Sequence, residues 1–66
     1  MNYELVYVAM RPVVFETLRR AKRPLTALEI AKKTGFNPGK VAYALYKLWR
    51  EDITVIKGIP NTYTIK

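Results

Sequence analysis

Residues 26–50 read TALEIAKKTGFNPGKVAYALYKLWR and predict two short helices joined by a tight turn. Thr26 followed three residues later by Glu29 is a capping box, in which hydroxyl and carboxylate each satisfy an orphan backbone amide, so a helix starts at about Ala27. Ala27, Ile30, Ala31 and Thr34 recur at three- and four-residue steps and form a narrow stripe of small residues, leaving Glu29, Lys32 and Lys33 outside it. Gly35 is the stop signal, since a left-handed residue is cheapest for glycine. Asn37 then caps a second helix, with Pro38 at its first position, where no N–H is needed. On this helix Val41, Ala44, Leu45 and Leu48, with Ile53 beyond its end, make one apolar side. Lys40, Tyr43, Tyr46, Lys47 and Arg50 occupy the opposite arc. A surface of cations and phenols on a helix suits an anionic, groove-shaped partner.

Outward from this pair, the N-terminal residues YELVYVA (3–9) are β-branched and aromatic, and Pro12 disfavours a helix running through them. The expectation is an extended arm over residues 1–11. Its two apolar faces, Leu5, Tyr7 and Ala9 against Val6, Val8 and Met10, either dimerise or pack across the back of the domain. A first helix over 12–23 follows, with Val13, Val14, Thr17, Leu18 and Ala21 buried and Phe15 flanking. It ends in RRAKRP; the helix dipole explains part of that cation cluster, and phosphate contact by Arg19, Arg20, Lys22 or Arg23 is the alternative. Leu25 then allows a strand of one or two residues.

After the third helix the period changes from 3.6 to 2. Ile53–Lys57 and Thr62–Lys66 are β-rich, and GIPN between them supplies a reversal, which predicts a hairpin. Tyr63 and Ile65 share its core face, Thr62 and Thr64 the other. Trp49 is expected under this hairpin, as a core or edge residue, with a base-stacking role as the alternative.

Composition excludes several function classes. The chain has 66 residues, enough for one small domain, and neither cysteine nor histidine, so disulfide frameworks and thiolate or imidazole chemistry are ruled out. Nothing pairs a nucleophile with a base or assembles metal ligands, so no catalytic residue, cofactor, metal or small-molecule ligand is expected. Glu51 and Asp52 read as a helix end. Twelve Lys and Arg against five Asp and Glu give a formal net charge of +7, which favours nucleic acid or an anionic membrane surface. The apolar run from Leu5 to Met10 is too short to span a bilayer and no cleavage site follows it, so an intracellular protein without membrane attachment is expected. The absence of Gln and Ser, with abundant Lys, Ile, Val and Tyr, is a composition of thermophilic type.

Capped helix, glycine turn, basic helix and terminal hairpin together resemble the winged helix-turn-helix superfamily over about residues 12–66. LTALEIAKKTGFNPGKVAYALYKL carries the likeness in detail, with Ile30 and Ala31 in helix two (26–35), Gly35 in the turn and Val41, Leu45 and Leu48 in helix three (37–51). The resemblance implies an α+β, mainly α fold, with the extended arm preceding the three helices and a β-hairpin wing over 53–66. It also implies that helix three enters the major groove of double-stranded DNA while the wing touches the neighbouring backbone or minor groove. The implied DNA-binding residues are Asn37, Lys40, Tyr43, Tyr46, Lys47, Arg50, Lys57, Pro60 and Asn61, with Ile59 at the same wing. The function implied is that of a small sequence-specific transcriptional regulator acting as a homodimer, its recognition helices about one DNA turn, ~34 Å, apart. Long cations reach phosphates or guanine edges equally well, and with no Gln on this helix and its one Asn serving as a cap, amide reading of adenine is not expected. The Z-form-binding winged helices are similar in an exposed helix-three tyrosine, here Tyr46, and a wing proline, here Pro60; the chain departs from them at Ala42, Asn61 and Tyr63. A non-sequence-specific binder and a winged-helix protein-interaction module are the other readings open at this point.

Overall fold

The computed structural model describes residues 3–58 and 61–66. Its elements run α1 (Tyr3–Ala21), β1 (Leu25–Thr26), α2 (Ala27–Thr34), α3 (Pro38–Glu51), β2 (Val55–Gly58) and β3 (Thr62–Ile65). The strands form one antiparallel sheet in the order β1-β3-β2, in which Leu25 pairs with Tyr63 and Val55 with Ile65. The architecture is α+β and mainly helical. The short strand allowed by Leu25 therefore exists, and it ties the start of α2 to the hairpin.

The α2–α3 unit follows its local signals. Thr26 accepts from the Glu29 amide at 3.1 Å while the Glu29 carboxylate accepts from the Thr26 amide at 2.9 Å, completing the capping box. Gly35 ends α2 in the left-handed region at φ 79°, where a side chain would be strained, and its amide donates to the Ala31 carbonyl. Asn37 caps α3 by accepting from the amides of Gly39 and Lys40. Thr34 lies on the half-buried edge of α2, its hydroxyl donating to the Ile30 carbonyl.

The extended arm is not observed. Residues 3–11 are the first part of α1, which passes through Pro12 without ending. A proline in a helix interior forfeits the hydrogen bond to the carbonyl four residues back, here that of Val8, at a cost of about 3 kcal/mol. Helical winding offsets this by placing Tyr7 and Met10 on one stripe with Val14 and Leu18, all buried in the core. Each such burial contributes about 1.5–3 kcal/mol. An extended arm would have split Tyr7 from Met10 across opposite faces. The same winding turns Leu5 and Val8 outward, 67% and 60% exposed, and Val13, expected inside, joins them on the surface.

The core is completed by Leu25, Ile30, Ala31, Val41, Ala44, Leu45, Leu48, Val55 and Tyr63, with Ile65 half-buried against it. Ile53 does not continue the apolar side of α3. The chain leaves the helix at Asp52, whose amide still donates to the Leu48 carbonyl, and Ile53 lands in the following turn 91% exposed.

Candidate nucleic-acid interface

The third helix has two flanks of different chemistry, and their sorting begins with the carboxylates. All five are engaged within the chain. Glu16 pairs with Arg19 and Arg20, and Glu29 lies 3.4 Å from Arg23. Glu4 and Glu51 lie 3.3 and 3.7 Å from the Lys47 ammonium. Asp52 accepts from the amide and hydroxyl of Thr54 at 2.9 and 2.7 Å. Three of the four cations at the end of helix one thereby share two carboxylates, which weakens the support for Arg19, Arg20 and Arg23 as phosphate ligands.

Lys47 belongs to the flank facing α1. It is half-buried, its ammonium sits 5.4 Å from the centre of the Tyr7 ring, and the Tyr7 hydroxyl donates to Glu51 at 2.6 Å. The Glu4 partner, ahead of Glu51, raises the Lys47 pKa, whereas burial raises that of Tyr7 and the Tyr7 bond lowers that of Glu51. Lys47 was expected on the ligand-facing arc; it is a structural pin between α3 and α1 instead. The spacing of α3 alone could not reveal this, because Glu4 and Tyr7 lie forty residues away in a segment whose helical winding was itself unexpected.

Tyr43, placed at the centre of the exposed arc by helical spacing, is half-buried against the core. Asn37 spends its side-chain oxygen on the two cap hydrogen bonds, so its contribution is to hold the start of α3. Lys40 is half-buried one turn further on. Pro60, like Ile59, lies outside the described residues. Asn61 takes φ 46° as the chain re-enters β3, and with Ala42, Leu28 and Tyr63 it lines a groove of about 540 Å³ between α2, α3 and the hairpin.

Tyr46 and Arg50 do share the open arc. The Arg50 guanidinium donates to the Tyr46 hydroxyl at 2.8 Å and stands 5.6 Å from the centre of its ring. Trp49 continues the row: its ring centre is 5.9 Å from that of Tyr46 at an interplanar angle of 50°, and the Lys57 ammonium of β2 lies 5.2 Å over its other side. Of the two placements expected for Trp49, core or edge of the hairpin, the edge is observed, at 38% exposure, because its position on α3 is turned away from Val41, Leu45 and Leu48 toward β2. The composition carried this signal in one form only, a lone tryptophan next to an arginine on a helix with a complete apolar side already. Among the described residues no carboxylate pairs with Arg50 or Lys57. The corner therefore presents two uncompensated cations, each resting on an aromatic ring.

Among the described residues no three His, Cys, Asp or Glu side chains gather to hold a metal ion, and no helix is long and apolar enough to cross a membrane. No protein-family model, no curated protein and no solved structure matches the chain.

Proposed function

We propose that the chain is a winged helix-turn-helix protein that binds double-stranded DNA, with α3 in the major groove and the β2–β3 hairpin on the adjacent backbone or minor groove, in the role of a small transcriptional regulator. The order of helices and strands, with β1 completing a three-stranded sheet behind α3, supports the fold reading. The observation that carries the function is the sorting of charge. Every carboxylate is committed inside the chain, while Arg50 on α3 and Lys57 on the hairpin stand uncompensated on the same exposed corner. At the other end of that face Gly39 and Ala42 are small and exposed, which lets a groove edge approach the helix backbone. Two cations held on rings lose less side-chain freedom on meeting phosphate than free ones would.

A second copy is the proposed protein partner, packed along the outward stripe of α1 where Leu5, Val8, Ala9, Pro12 and Val13 are exposed. The stripe is too short for an obligate dimer interface, so association is weak and strengthened on DNA.

Duplex binding against salt tests the reading. Wild-type affinity should fall steeply with ionic strength, as expected for counterion release. Arg50→Ala with Lys57→Ala should lower the slope of log affinity against log salt by about two, one per lost phosphate contact, whereas Lys47→Ala should leave it unchanged. A double variant with the wild-type slope, or a wild-type chain that ignores duplex at low salt, would sink the proposal.

A further inference from the structure

We infer that the corner formed by Tyr46 and Trp49 is a separate binding site, a stacking platform for an unpaired base in a nucleic-acid strand. Trp49 is the only tryptophan in the chain, and it lies at the edge of the fold rather than in the core: it is 38% exposed and Tyr46 is 43% exposed, while Tyr7 and Tyr63 are buried. The rings stand 5.9 Å apart at a tilt of 50°, too close for a third ring between them, so a base would stack on the part of the pair that is exposed to solvent. Each ring also carries a cation, Arg50 at 5.6 Å from the centre of Tyr46 and Lys57 at 5.2 Å from that of Trp49.

This combination matches an unpaired base better than a paired one. In an intact duplex the faces of a base are covered by its neighbours and only the edges reach the grooves, so a ring platform finds nothing to stack on. A single strand, a frayed end or a bulge offers free faces, with phosphates on both sides for flanking cations. The two cations have different duties. Arg50 is fixed by its bond to the Tyr46 hydroxyl and stays at the rim. Lys57 is held only by the ring, an attraction worth about two- to fivefold at an exposed site. A stacked base contributes roughly five- to a hundredfold, so it displaces the ammonium toward a neighbouring phosphate. Tyr46 and Trp49 lie in the last two turns of α3, at the end away from the Asn37 cap, so the platform sits where a strand would leave the groove-facing end of the helix.

The lone tryptophan makes the site its own reporter. Fluorescence of the full chain is titrated with a twelve-nucleotide oligothymidylate, the matching oligouridylate and a duplex of equal length. Quenching by either single strand is expected, and the stronger of the two identifies DNA or RNA as the source of the base. Trp49→Leu should weaken single-strand binding, read by anisotropy of labelled strand, at least tenfold, with Trp49→Phe restoring most of it, whereas duplex affinity should fall by no more than the two- to fivefold of the lost Lys57 ring contact. Circular dichroism melts establish that both variants fold. Absence of quenching by both single strands, or equal loss of single-strand and duplex affinity in Trp49→Leu, would overturn the inference. Strong single-strand binding without duplex binding would uphold the platform and refute the duplex proposal; the reverse pattern would do the opposite.

Discussion

The two flanks of α3 use the same device to opposite ends. On each, a lysine ammonium rests on an aromatic ring, Lys47 at 5.4 Å from Tyr7 and Lys57 at 5.2 Å from Trp49. On the α1 side the ring is buried, the cation is shared between Glu4 and Glu51, and the ring hydroxyl bonds Glu51, so every charge there is consumed in holding two helices together. On the hairpin side the rings are open and no carboxylate answers the cations. What separates a structural cation from an available one is therefore not its exposure on a helical wheel but where the acids are. A chain with net charge +7 and only five carboxylates gathers them away from one corner.

The largest break in this comparison comes from truncating the two rings. Tyr7→Ala removes a fully buried aromatic and should cost about 3–5 kcal/mol, the range for large-to-small core changes. That is comparable with the whole stability of a domain this small, about 3–10 kcal/mol at typical values per residue. Tyr7→Phe keeps the ring and loses one hydrogen bond, about 1 kcal/mol. Trp49→Ala should cost less than Tyr7→Ala, about 1–3 kcal/mol, because Trp49 is 38% exposed and Tyr7 is 3% exposed. Urea unfolding followed by circular dichroism measures all three. Equal costs for the two alanine variants would show that Trp49 is a core residue in disguise.

That contrast also explains what was legible in the sequence. Thr26 with Glu29, Gly35, Asn37 and Pro38 act within four residues of themselves, so α2, the turn and the start of α3 could be read directly. The hairpin was readable because its period-2 pattern is bounded by Gly58 and Asn61. Pro12 misled, since its local preference was outweighed by Tyr7 and Met10 reaching a core built from other elements. The same physics hid the site: Lys47 and Arg50 look equivalent three residues apart, and only the approach of Glu4 distinguishes them. Trp49 was placed beside the hairpin correctly, yet its exposure depends on how far β2 overlaps α3, which no local spacing encodes.

A smaller effect concerns the outer side of α1. With Leu5 and Val8 outward, sedimentation equilibrium at micromolar protein should give an average mass above the 7.7 kDa of one chain. Val8→Glu places a carboxylate in the middle of the stripe and should return the mass to that of the monomer with little change in melting temperature, because Val8 is 60% exposed. A wild-type profile that fits 7.7 kDa throughout, together with a single chain bound per duplex, would remove the second copy as a partner. It would leave the flank comparison intact, since neither flank of α3 lies on that stripe.

The smallest effect is titration, and it sharpens the comparison because the two flanks should respond differently. Glu51 is held below the usual carboxyl range by the Tyr7 hydroxyl first and Lys47 next, and Glu16 is lowered from 4.5 to about 2 by Arg19 and then Arg20. A carboxyl whose folded pKa lies below its unfolded one contributes stability that is present above the unfolded value and lost as pH falls through the folded one. For Glu16 that window runs from 4.5 down to about 2, and Glu29 and Asp52, lowered by the Thr26 amide and by Thr54, act in the same direction. Tyr7 works at the other limb: burial, then Glu51, raises its pKa above 10.0, so its contribution is full below that value and fades as pH rises through the folded one. The melting temperature should accordingly hold level from about pH 5 to 9 and decline on both sides, gently in acid because these pairs are exposed and screened. Glu51→Gln should flatten the acid decline and, by removing one cause of the raised Tyr7 pKa, shrink the alkaline decline as well. The row Tyr46, Trp49, Arg50 and Lys57 contains no carboxylate, so Trp49 fluorescence at temperatures well below the melt should stay constant between pH 5 and pH 3. A tryptophan signal that moves with the acid limb would mean that the hairpin flank depends on the ion pairs of the α1 flank, and the separation drawn between them would not hold.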